Sequence, residues 1–134
     1  MWHLIFILTL FRMKPLGEHE TLTKVPDMDD KKKLNCWEYK KCGREPGGTK
    51  VHELGVCPVA TEQGANGIHT GTNGGRCCWV VTGSLCKGQQ QGSYAQKFGD
   101  CHHCDFYELV RNEEMPSFKV GITILNEIKK RKSP

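Results

Sequence analysis

Residues 36–42 read CWEYKKC and residues 78–86 read CWVVTGSLC. Each stretch is followed by fourteen residues and a further cysteine, which makes two triplets, Cys36, Cys42, Cys57 and Cys78, Cys86, Cys101. A bulky apolar residue and a glycine precede the third cysteine in both: Leu54-Gly55-Val56-Cys57 and Phe98-Gly99-Asp100-Cys101. The shared Cys-Trp pair, gap and glycine mark a pseudo-duplicated motif. Its halves are expected to meet in space and supply equivalent groups, with Trp37 and Trp79 packed in the core beside them. Cys104 is a seventh thiol of the same set. Cys77 falls outside the repeat and reads as a buried or free thiol.

All eight cysteines lie between Cys36 and Cys104, a segment that also holds 13 of the 15 glycines but only nine Leu, Ile, Val or Phe residues. So few large apolar groups bury little surface. Glycine raises the entropic cost of ordering the backbone. Disulfides, zinc or iron–sulfur chemistry must therefore hold the segment together.

The net charge of +4 is spread evenly along the 134 residues. It selects neither nucleic acid nor an anionic membrane. Lys40, Lys41 and Arg44 read as a solvated face. The first eleven residues, MWHLIFILTLF, are apolar but too short to cross a bilayer core of about 30 Å. Arg12 and Lys14 follow the apolar run instead of preceding it, so a secretory signal fits poorly. The expectation is a cytoplasmic chain, where clustered cysteines favour metal binding or redox chemistry.

Residues 1–34 read as an apolar stretch and a polar, poorly ordered linker. Residues 35–114 form a Cys-rich domain, and 115–134 an amphipathic C-terminal helix. Asn35 caps a helix over 36–42, with Gly43 as its stop. The five glycines of 64–75 suit turns with positive φ. Trp79-Val80-Val81-Thr82 reads as a short strand, and Asp100 as the cap of a helix over 101–114. After Pro116, a helix capped by Ser117 would bury Phe118, Ile122, Leu125 and Ile128. That stripe docks on the Cys-rich core or forms a homodimer or partner interface. The expected fold class is a small, irregular α+β domain, stabilised by metal or cluster ligation.

The segments NCWEYKKCGREPGG, ELGVCPVA, CCWVVTGSLC and DCHHCDFYELV resemble the two-CW domain proteins, small bacterial proteins named for their two Cys-Trp pairs, here Cys36-Trp37 and Cys78-Trp79. The resemblance covers residues 35–114. It implies a cytoplasmic, Cys-rich, metal-bearing module that occurs alone or attached to sensory proteins. It supplies no reaction.

Cys101-His102-His103-Cys104 is the one C-x2-C, whereas common structural zinc sites use two. The remaining spacings are easier to reconcile with a cluster, and Cys57-Pro58 is a step that often borders one. The candidate ligands are Cys36, Cys42, Cys57, Cys78, Cys86, Cys101 and Cys104, and the cofactor expected is an iron–sulfur cluster of the [4Fe–4S] type, with zinc as the alternative. Seven thiolates do not divide into two all-cysteine sites of four, so three are spare or His102 or His103 completes a second centre. No catalytic residue is assigned. The expected function is redox sensing, electron transfer or regulation with a protein partner. The alternatives are a zinc-stabilised interaction module and a thiol–disulfide protein using Cys101 and Cys104, whose thiols a helix N-terminus would activate.

Overall fold

In a computed structural model, residues 32–134 are described, so the readings of the apolar stretch and of most of the linker lie outside the described residues. Six α-helices follow one another: α1 Cys36–Lys40, α2 Val51–Leu54, α3 Pro58–Thr61, α4 Tyr94–His102, α5 Asp105–Glu114 and α6 Gly121–Lys132. Four 3-10 turns, Gln63–Ala65, Ile68–Thr70, Cys78–Val80 and Cys86–Gly88, occupy the long connection between α3 and α4. There is no strand among the described residues, and the α+β expectation is thereby corrected to a helical fold. Residues 79–82 are where it fails. The amides of Val80 and Val81 donate to Cys77 O (3.1 Å) and Cys78 O (3.2 Å), three residues back. A strand needs a neighbouring extended segment to receive those amides. This chain closes them locally instead.

α1 begins as the sequence indicates. Asn35 and Glu38 form a reciprocal capping box, and Lys41, at φ 52°, ends the helix two residues before Gly43. The glycine-rich loop explains where α1 goes. Of the glycines at 64, 67, 71, 74 and 75, only Gly67 has positive φ. The others allow close approach. A Cβ on Gly75 would stand 2.2 Å from Asn35 Oδ1. The Cys36 amide donates to Gly75 O at 2.7 Å, and the Thr72 amide to Asn35 Oδ1 at 2.8 Å. The start of the first Cys-Trp helix is thus fastened two residues before Cys77-Cys78.

Residues 94–114 form two helices where one was expected over 101–114. Ser93 and Gln96 make a capping box that starts α4 early. Asp100 lies inside α4, and Cys104 is the N-cap of α5 in an extended conformation. α4 and α5 pack on each other, and α1 packs on α5.

One core runs through these elements. Trp79, Phe106, Val110, Ile68, Val59 and Ile124 are each no more than 2% exposed. Trp79 meets Tyr107 edge-on at 4.7 Å. α6 packs over Gln63–Ala65 and Cys78–Val80. It buries Gly121, Ile124 and Ile128, while Ile122 is exposed. Its cap is Val120, not Ser117, so Phe118 is no part of the helix and the buried face runs through Gly121, Ile124 and Ile128. Phe118 precedes the helix and stacks on the His69 ring at 4.9 Å.

Buried polar side chains cross-link the loops. Arg76, fully buried, donates to His69 O (2.7 Å), Leu34 O (3.0 Å), Glu113 (2.7 Å) and Glu114 (3.0 Å). Lys97 donates its ammonium protons to Cys78 O (2.8 Å), Val81 O (2.5 Å) and Ser84 Oγ (2.6 Å). A buried charge is tolerated only when partnered in this way.

Candidate functional site

The seven cysteines of the two triplets and Cys104 all line two cavities in this domain. The first has a volume of about 520 Å³ and carries Cys36, Cys42 and Cys57 with Cys86 and Cys104. The second has a volume of about 60 Å³ and carries Cys78, Cys86 and Cys101 with Cys104. Each triplet therefore belongs whole to one cavity. Cys86 and Cys104 border both. Cys77 is fully buried in the core and lines neither, and burial pushes its thiol far above the ordinary range.

Local conformation accounts for these placements. Cys36 and Cys78 each open a helical turn, as residue one of α1 and of the turn Cys78–Val80. They stand close enough that the Cys36 thiol, with burial second, holds Cys78 well above the usual thiol range. The third members of the triplets differ. Gly55, at φ 82°, ends α2 ahead of Cys57, whereas Gly99 is helical and Cys101 sits in the last turn of α4. The backbone counterpart of Cys57 is Cys104. Both are N-caps, at φ −63°, ψ 130° and φ −71°, ψ 134°.

All eight cysteines are free thiols. All but Cys77 stand around the cavity walls. Among the described residues no three His, Cys, Asp or Glu side chains are close enough together, as placed, to grip a single ion. The Leu85 amide donates to Cys57 Sγ at 3.3 Å. Burial raises Cys101, and raises Cys86 to about 11, while the Lys97 ammonium works against burial at Cys78, Cys86 and Cys101. The first cavity is also walled by Lys40, Lys41, Arg44, Lys50 and Lys87. Lys40 pairs with Asp105, and Arg44 with Glu53 at 2.8 Å. No carboxylate lines either cavity apart from Asp100 in the second. The donor set is thus soft sulfur beside cations, the donor type that thiophilic metals take.

His102 and His103 are exposed and line neither cavity. His102 packs against Phe98 (5.0 Å) and Tyr107 (5.1 Å). Cys101, at the carboxyl end of α4, lacks the helix N-terminus that would activate a thioredoxin-type pair. The sequence reading missed Lys97 and His69, because neither carries a motif. His69 occupies the left-handed region at φ 52°, and its Nδ1 faces Arg76 O at 3.1 Å while its Nε2 accepts the Lys119 amide at 2.9 Å.

The fold and the site define a helical, cysteine-rich domain with thiol-lined cavities. No helix of the described residues is long and apolar enough to cross a membrane. Comparison with family models, with curated proteins and with solved structures finds no match.

Proposed function

We propose that this chain is an iron–sulfur protein of the two-CW type, serving redox sensing or electron transfer with a protein partner in the cytoplasm. The observation that carries the reading is the enclosure of one cavity of about 520 Å³ by the whole first triplet together with Cys104, under a cationic wall. Thiols spread around so large a space suit a [4Fe–4S] cluster better than one ion, whose sulfurs would all stand about 2.3 Å from a single point. Such a cluster supplies one-electron chemistry. The protein's own part is to hold it and set its surroundings. Cys36, Cys42, Cys57 and Cys104 are the ligands. The Leu85 amide donates to the Cys57 sulfur and fixes its position. Lys41, Lys50 and Lys87 offset the charge of the thiolates. Cys36, Cys42, Cys57 and Cys104 are all free thiols, the state that this ligation requires.

Anaerobic purification followed by iron, acid-labile sulfide and zinc analysis tests the proposal. The expected product is brown and contains iron and sulfide in equal amounts. Cys57→Ala should lose the chromophore and Cys77→Ser should keep it. A colourless protein that holds stoichiometric zinc and refuses iron and sulfide would overturn it.

A further inference from the structure

We infer that Lys41, Lys50 and Lys87, at the mouth of the larger cavity, form the docking face for a protein partner that presents a carboxylate-rich patch. The inference rests on the proposed cluster in that cavity and names the kind of surface with which it would exchange electrons.

Charge is the first observation. Five cationic side chains line the cavity and no carboxylate does. Two of the five are already paired, Lys40 with Asp105 and Arg44 with Glu53. Lys41, Lys50 and Lys87 are exposed and make no ion pair among the described residues. Elsewhere on the surface lysines sit beside acids, as Lys32 does with Glu38, Lys119 with Glu127 and Lys132 with Glu62.

Backbone geometry is the second. Lys41 and Lys87 occupy the left-handed region at φ 52° and 56°. They adjoin Cys42 and Cys86, the matching middle cysteines of the two triplets. A glycine takes that conformation freely, whereas a side chain is strained there. Both halves of the repeat nevertheless hold a lysine at such a position, and strain of this kind collects at functional surfaces. Each half thus brings one unpaired charge to the same mouth, and Lys50, the N-cap of α2, adds a third.

The cavity opens to solvent at these residues, since Cys86 and Gly88 beside Lys87 are exposed as well. The ammoniums therefore act on solvent as well as on the sulfurs behind them. A cleft walled by one sign of charge steers in surfaces of the other sign. An acidic polypeptide fits better than a nucleic acid. No aromatic side chain lines the cavity to stack a base, and the charge of the chain is not gathered into a basic stripe.

The test uses the full chain, before and after anaerobic loading with iron and sulfide, and a fluorescent oligoglutamate peptide as the probe. Anisotropy should show binding that weakens as salt rises. Replacing Lys41 and Lys87 together by glycine removes both charges and suits their left-handed backbone. This double variant should bind the peptide roughly tenfold more weakly, the loss of two surface ion pairs. Replacing the exposed Lys129 and Lys130 of α6 by alanine changes the net charge equally and should leave binding unchanged. Should circular dichroism show the glycine variant unfolded, Lys50→Gln, at negative φ, gives the same reading with a smaller loss. Equal losses at the mouth and on α6, or no salt-dependent binding, overturn the docking face. A single-stranded oligonucleotide that binds through these lysines more tightly than the peptide overturns it in favour of nucleic acid. A chain that refuses iron and sulfide yet binds the peptide through them sinks the proposed function and leaves the face standing. A brown chain whose three lysines bind no peptide does the reverse.

Discussion

The two halves of the repeat share a motif and differ in what surrounds it. Around Cys36, Cys42 and Cys57 the wall is wide and studded with surface lysines. Around Cys78, Cys86 and Cys101 it is narrow, backed by Trp79 and Tyr107 and braced by one buried lysine. Trp37 is half-buried, while Trp79 is at the centre of the core. The duplicated motif therefore specifies where thiols go, and the packing behind it specifies how firmly each half is held. The second half is built as the rigid one.

That contrast is tested most severely at the tryptophans. Trp79→Ala should cost about 3–5 kcal/mol, the range for removing a buried aromatic. Trp37→Ala should cost less than half as much, because that side chain is only partly removed from water. Denaturant melts of both variants check this, and equal losses would mean the halves are equally rigid. The lysines come next. Lys97→Met strips the charged donor from three acceptors and should cost about 3 kcal/mol, since groups left unsatisfied in the interior lose their full solvation. Lys41→Met on the first cavity should stay within about 0.5 kcal/mol, as surface changes do. The same melts, run at two salt concentrations, separate the pair.

The buried seam of the second half sets a pH limit. Burial holds His69 below its ordinary value. Its Nε2 accepts the Lys119 amide, so the folded form wants the neutral ring with the proton on Nδ1. The unfolded chain binds a proton more readily, and stability must rise with pH across this titration. The contribution is complete above the unfolded value of about 6.5 and is lost as pH falls through the folded one. Melting between pH 7.5 and 5 should show the decline in wild type and a flatter profile in His69→Gln. A further contrast lies on α6: Ile124→Ala should cost about 2–4 kcal/mol, while Ile122→Ala, its exposed neighbour, should be nearly silent.

Much of the site was legible because cysteine chemistry is carried by spacing. Six of the seven thiols that border the cavities are those marked by the repeat, Cys104 is the seventh, and Cys77 was set apart by the same reading. The limits of the reading show in particular residues. Gly55 and Gly99 occupy equivalent positions, yet one ends a helix and the other continues it. The Ser93–Gln96 capping box lies upstream of the motif and extends α4 through Cys101. In α6, the start at Gly121 leaves Phe118 outside the helix, and the buried face follows Gly121, Ile124 and Ile128 where the stripe counted from Phe118 included Ile122.

By itself the sequence determined that this segment lacks the apolar mass for an ordinary core, that its cysteines form a duplicated set, and that a helix ends the chain. These are properties of composition and of neighbours a few residues apart. Tertiary structure alone decided that Val80 and Val81 close a 3-10 turn and not a strand, that the glycine loop receives α1, and that Cys104 borders both cavities. The first follows from the lack of a distant partner for those amides among the described residues, the other two from the presence of one. A strand exists only if another segment accepts its amides. A glycine matters only through the atom that comes near it, as Asn35 does to Gly75. A thiol serves two walls only where the fold brings both to it.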